Sequence, residues 1–156
     1  NRIYQNYNLI INEVRIKNHR YYLNFAKKYI QLKDGKFKQE GNPDDYLKVD
    51  LLDYIITDLD GNMTDDAVLA LAISPMGSGV FYELTTLISD TEDDFIRQGQ
   101  KILLGDRIKI NSMSVNDAKI NLDMTVHQQN DPSCCPTKKV TKKFVFSNGN
   151  LTEVNQ

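Results

Sequence analysis

Between residues 119 and 126 apolar and polar side chains alternate without a break. Ile120, Leu122, Met124 and Val126 stand against Lys119, Asn121, Asp123 and Thr125. A period of two predicts a strand with one face in the core and the other in water. Val140, Phe144 and Phe146 continue that pattern between Lys139 and Ser147, and residues 21–30 form another aromatic-rich segment. Residues 67–73, Ala-Val-Leu-Ala-Leu-Ala-Ile, are instead uniformly apolar. Alanine and leucine favour helix, and Thr64 or Asp65 could cap one. A run of this length is short for a helix, however, and reads better as a central strand covered on both faces. Residues 80–88, rich in β-branched and aromatic side chains, are its expected partner.

Turn dipeptides separate these segments. Asp34-Gly35 and Asn148-Gly149 are the pairs that type I′ hairpins prefer, because both central residues need positive φ. Gly105-Asp106 suits a type II′ turn and Asn116-Asp117 a type I′ turn. Thr91-Glu92-Asp93-Asp94 reads as a helix start with Gly99 as its stop, for at most two turns. Successive hairpins predict a mainly β fold: an antiparallel, hairpin-rich sheet or small barrel or sandwich, with one or two short helices at most and α+β as the alternative. Residues 1–17 read as an N-terminal arm, either an adhering strand or a linker, and 18–156 as a single β-rich domain. The 156 residues suffice for a core that needs no metal or disulfide.

Charge adds a segregation that the net value of −2 conceals. Residues 1–40 carry nine Lys/Arg against three acids, residues 41–94 thirteen acids against Lys48, and the remainder nine bases against five acids. Nucleic-acid binding calls for a basic excess or a basic stripe with stacking aromatics, so nucleic acid and other polyanions are not expected partners. The longest apolar run is too short to span a bilayer. The chain opens on Asn1 rather than Met, so a trimmed, exported product is expected.

Two segments carry candidate chemistry. In Asp58-Leu59-Asp60-Gly61-Asn62-Met63-Thr64-Asp65-Asp66, oxygen side chains fall at positions 1, 3, 5 and 9. Such spacing aims successive oxygens inward, as a hard cation such as calcium requires. Asp58, Asp60, Asn62 and Asp66 would be side-chain ligands, with Thr64 offering its carbonyl. The segment resembles the D-x-D-x-D-G-x-x-D loops of FG-GAP/integrin-type propeller repeats, departing where Asn62 and Met63 fill the fifth and sixth positions. The alternative is a solvated turn whose Asp and Asn side chains bond local backbone.

The second segment is His127-Gln128-Gln129-Asn130-Asp131-Pro132-Ser133-Cys134-Cys135-Pro136-Thr137, with both cysteines and one of two histidines. Adjacent cysteines can close a vicinal disulfide, the simplest oxidised state of an exported protein. They can also join His127 and Asp131 as an N/O/S set for zinc or copper. A third reading makes one thiolate a nucleophile beside His127, and the plainest makes both cysteines inert. The paired acids Asp44/Asp45, Asp65/Asp66 and Asp93/Asp94 do not distinguish hydrolase chemistry from solvated turns.

Taken together, the 58–68 block, Gly77-Ser78-Gly79-Val80-Phe81-Tyr82, Leu104-Gly105-Asp106-Arg107 and the Asn130-Asp131-Pro132-Ser133-Cys134-Cys135-Pro136-Thr137 block resemble a group of uncharacterised bacterial exported or lipoprotein-like small domains. The resemblance spans about residues 18–154. It implies a cell-envelope location on the periplasmic or extracellular side, and a lipidated cysteine ahead of Asn1 in the precursor as the only membrane link. Ser78-Gly79-Val80-Phe81-Tyr82 also resembles the Ser-Gly-x-x-Tyr segment of periplasmic C-type lysozyme inhibitors, whose serine-bearing loop enters the lysozyme cleft. That makes Ser78, Gly79 and Tyr82 a candidate partner-binding loop. The expectation is therefore a non-enzymatic envelope protein that binds a protein partner or serves a structural role. The alternative is redox or metal handling at Cys134/Cys135.

Overall fold

The computed structural model describes residues 10–39, 41 and 45–155. Of the expected arm, residues 1–9 lie outside the described residues. The rest includes one short helix, α1 (Glu13–Lys17), whose first turn is capped by Asn12 Oδ1 accepting from Arg15 N at 2.8 Å. Ile11 and Ile16 belong to the core. The helix leads into a hairpin of β1 (Arg20–Leu23) and β2 (Lys28–Gln31), so the aromatic segment 21–30 folds back on itself.

Then come β3 (Lys36–Gln39), β4 (Leu47–Thr57), β5 (Asp66–Pro75), β6 (Phe81–Asp90), β7 (Phe95–Gln98) and β8 (Ile102–Asp106), which form one six-stranded antiparallel sheet. Its order is β3-β4-β5-β6-β7, with β8 also paired to β6. β9 (Lys109–Asn116), β10 (Lys119–Val126), β11 (Lys138–Ser147) and β12 (Asn150–Val154) form a second antiparallel sheet of order β12-β11-β10-β9. Strand accounts for 59% of the structure and helix for 4%, which makes the protein mainly β rather than α+β, and no barrel closes.

Two apolar clusters explain the layering. Ala67, Leu69, Leu71 and Ile73 of β5 pack with Tyr21, Leu23, Ile30 and Ile16 on one side. Val68 of the same strand packs with Leu84 and Ile88 of β6 and with Ile120, Leu122, Met124 and Phe144 on the other. The six-stranded sheet is thus covered on both faces, which is why residues 67–73 need no polar alternation. The second sheet is covered on one face only, so β10 alternates.

The hairpin layer is held by polar contacts as well. The Glu83 carboxylate, 2% exposed, accepts from the backbone N–H groups of Asn24 (3.3 Å) and Phe25 (2.8 Å) in the β1–β2 turn. The Gln98 amide accepts from Tyr22 N at 2.7 Å and donates to Tyr22 O at 3.0 Å, continuing the ladder through a side chain.

The type I′ pairs Asp34-Gly35 (φ +50° and +79°) and Asn148-Gly149 (φ +53° and +82°) form as expected. Three other turn expectations are corrected. Residues 91–94 form the β6–β7 turn, not a helix: Asp90 Oδ1 accepts from the N–H groups of Glu92 and Asp93, and Asp94 is left-handed at φ +59°. Gly105 and Asp106 lie in β8, and the chain turns at Arg107 (φ +50°). The β9–β10 turn centres on Asp117 and Ala118 (φ +51° and +60°), one residue beyond the expected pair.

Gly99 is not a helix stop but a point of close approach between β7 and β8. Both strands run along the same edge of β6, with Gly99 N donating to Thr86 O at 2.9 Å where they meet. A Cβ at Gly99 would lie 2.2 Å from Thr86 Oγ1. Gly99→Ala is therefore expected to destabilise the fold by about 1–3 kcal/mol, read as a lower urea midpoint at unchanged slope. An unchanged midpoint would show that this edge relaxes freely.

Candidate functional site

The antiparallel connections send the two candidate segments to opposite ends of the molecule. β5 begins at Asp66 and pairs its far end, Ile73, with Phe81. The 58–66 turn therefore sits beside the β6–β7 turn, and residues 76–80 sit at the other end with the β8–β9 turn.

At the acidic end, Asp58, Asp60 and Asp66 come together, with one carboxylate oxygen of each within 4.8 Å of the others. Most of these oxygens already serve the turn. Asp58 accepts from Gly61 N and Met63 N, each at 2.9 Å, and Asp60 Oδ1 from Asn62 N at 3.3 Å. Asn62 does not face the carboxylates with its oxygen. Its Oδ1 accepts from Thr64 N and Thr64 Oγ1, while its Nδ2 donates to Ser89 O. Gly61 (φ +77°) and Met63 (φ +71°) supply the bends, the second at the cost of a side chain in left-handed backbone.

Asp66 is fully buried and accepts from Leu59 N (2.8 Å) and Ser89 N (2.9 Å). Burial outweighs those hydrogen bonds and pushes its carboxyl up to about 6, with Asp60 and Asp58 adding repulsion. The folded state therefore holds this proton more tightly than the unfolded chain does. The group's stabilisation is complete below about pH 4 and is lost as pH rises through about 6, amounting to roughly 3 kcal/mol. Subtracting the urea stability of Asp66→Asn from that of wild type across this range should reveal that slope. Parallel profiles would contradict it.

At the other end, residues 127–137 form a compact loop closed by one side chain. Asp131 Oδ2 accepts from Gln128 N and Thr137 N, each at 2.9 Å, and Oδ1 from Thr137 Oγ1 at 2.9 Å. These bonds, that of Gln128 N foremost, hold the Asp131 carboxyl below the usual range. His127 Nε2 lies 3.0 Å from Ser133 O. Both expected soft-metal partners are thus turned to the loop's own atoms. Among the described residues, they do not converge with the sulfurs.

Cys134 and Cys135 are at disulfide distance, Sγ to Sγ 2.04 Å, and both are exposed. A bridge between neighbours closes almost no chain, so its stabilising effect is only about 1 kcal/mol. The loop is fastened by Asp131 with or without it. The pair's placement is more informative than its stabilisation.

The cysteine loop meets Val80, Tyr82 and the start of β9 across one cleft of about 420 Å³. Tyr82, Cys134, Cys135 and Pro136 give it apolar and polarisable walls, and Arg107 and Lys109 supply cations. Asp106 builds the near wall: its Oδ1 accepts from Val80 N at 3.0 Å and its Oδ2 from Arg107 Nη2 at 2.9 Å. Arg107 N donates to Val80 O at 2.7 Å, and Arg107 Nε is buried without a partner. Burial, and secondarily Asp106, raise the Tyr82 phenol above its ordinary value.

Of the proposed partner loop, Tyr82 lines the cleft. Ser78 stands exposed beyond it, and Gly79 is packed closely enough that a Cβ would lie 2.7 Å from the Phe81 ring. Sequence reasoning missed Lys109 altogether and met Arg107 only within a turn motif. Two cations flanking Ile108 directly after Gly105-Asp106 were the available signal. Comparisons with known protein families, curated proteins and solved structures find no match.

Proposed function

We propose that this protein is a non-enzymatic module of the bacterial cell envelope that acts by binding, with the cleft between Tyr82 and Cys134/Cys135 as its ligand-facing surface. One observation carries the reading. Three segments far apart in sequence, around Tyr82, Arg107 and Cys134, line a single cleft. An apolar wall with a few convergent polar groups is the usual make-up of a binding site. A vicinal disulfide supports export, since such bonds persist in oxidising compartments.

The test is capture from detergent-solubilised envelope by the immobilised protein, beside the double variant Tyr82→Ser/Lys109→Gln. Binding predicts a component retained by wild type and lost by the variant. Equal retention by both, or none by either, would defeat the proposal.

Exposure of both cysteines favours a redox role as the second reading. The disulfide would take two electrons from a substrate dithiol, leaving two protein thiols and an oxidised substrate. That role predicts catalysed oxidation of a reduced peptide dithiol with a glutathione disulfide supply. Binding alone predicts none.

A further inference from the structure

The cleft opens beside a surface whose chemistry narrows the ligand. Because Ile120, Leu122, Met124 and Phe144 face the core, the opposite face of the β9–β12 sheet looks outward. Strand register places Lys109, Thr125 and Lys139 side by side in one row across it. Further along, Lys143 pairs with Asn121, and Lys119 stands between Asn116 and Val145. All four lysines are exposed, against two carboxylates on the same side, Asp123 within the sheet face and Asp117 in the turn beside Lys119 and Lys143.

Asp123 keeps its charge and offsets one of them. It accepts from Ser112 Oγ at 3.0 Å and Thr141 Oγ1 at 2.7 Å, hydroxyls that bring no charge. Chain-wide balance argued against a polyanionic ligand. The fold overrides that balance by collecting four cations on one sheet face, while Asp60, Asp90 and Glu92 gather beside the β11–β12 turn.

We propose that this face and the cleft together bind an acidic polysaccharide. One sugar ring lies between Tyr82 and the Cys134/Cys135 turn, with its carboxylate on Arg107 and Lys109. Neighbouring acidic residues of the glycan run along the lysines of β10 and β11. The proposal rests on the binding function inferred above and names the ligand class. Ser114 and Asn121 offer the donors and acceptors that sugar hydroxyls need, and Ser112 and Thr141, whose protons go to Asp123, add acceptors.

Two observations set other macromolecules aside. The sheet face carries no aromatic side chain, whereas single-stranded nucleic acid is held by a cationic groove combined with aromatic side chains on which its bases stack. Val154 is the only exposed large apolar residue on it among the described residues, whereas protein partners are anchored by buried aromatic and apolar side chains.

The test is calorimetric titration of the whole protein with a galacturonic acid hexamer, with neutral dextran oligomer and single-stranded DNA as comparison probes. The hexamer should bind, weaken with added salt, and lose about tenfold in affinity for Lys139→Gln/Lys143→Gln, whose lysines are exposed and leave the melting temperature unchanged. Dextran should not bind. No hexamer binding, equal affinity for the lysine variant, or DNA bound as tightly as the hexamer would each overturn the acidic-glycan inference. If envelope capture still depends on Tyr82 and Lys109 in that case, the binding function stands with another ligand. If capture fails too, both fall.

Discussion

Replacing Glu83 by alanine is expected to destabilise the protein by about 3–5 kcal/mol, since hydrogen bonds to a charged acceptor contribute roughly 1.5–3 kcal/mol each. Glu83 is 2% exposed, and its carboxylate accepts the Asn24 and Phe25 N–H groups, which lose that partner when it is gone. Those bonds tie β6 of the central sheet to the turn of the outer hairpin. Glu83→Gln should fall between wild type and alanine, because the amide keeps one acceptor oxygen but turns a donor toward the second N–H. Urea unfolding at fixed pH measures both. An alanine variant within about 1 kcal/mol of wild type would mean that the hairpin is held by apolar contacts alone.

Phe144→Ala probes the other interface, and a loss of about 3–5 kcal/mol is expected for truncating a buried phenylalanine. Its ring is 1% exposed and packs with Ile120, Leu122 and Val68, joining β11 to the central sheet. Unfolding should remain a single transition. Val68 and Leu69, neighbours on β5, belong to the two opposite clusters, so neither layer can come away without uncovering that strand. A biphasic curve for Phe144→Ala, in which the C-terminal sheet melts first, would show the layers to be independent.

Strands were legible wherever one side-chain period dominated. Residues 119–126 alternate because only one face of β10 is covered, and residues 67–73 do not because both faces of β5 are. Turns were legible where two successive residues needed positive φ, as at Asp34-Gly35. They were misplaced by one residue at Asp117-Ala118, where an alanine takes the left-handed backbone, and misread where one residue decides the geometry. Arg107 turns the chain with a left-handed backbone that no glycine announces, while Gly105 sits in the preceding strand. Residues 91–94 imitate a helix cap because Asp90 bonds two following N–H groups, which an Asx turn does equally well.

The site was half legible. Residues 78–82 and 127–137 carry unusual residues, but nothing local shows that they meet. That contact depends on β6 beginning on the side where β8 and β10 end. Lys109, Lys119, Lys139 and Lys143 look scattered along the chain and become neighbours only through strand register. Glu83 gave no signal, since a buried carboxylate satisfied by backbone N–H groups needs no oppositely charged partner in sequence.

Ligand binding is proposed at the cleft shared by Tyr82, Arg107, Lys109 and Cys134/Cys135. Hydrogen–deuterium exchange with and without solubilised envelope tests it most directly, because it reports where contact occurs whatever the ligand is. Slower exchange should appear at residues 80–82, 107–109 and 134–137, with residues 58–66 unchanged. Protection confined to residues 58–66, or none anywhere, would contradict it.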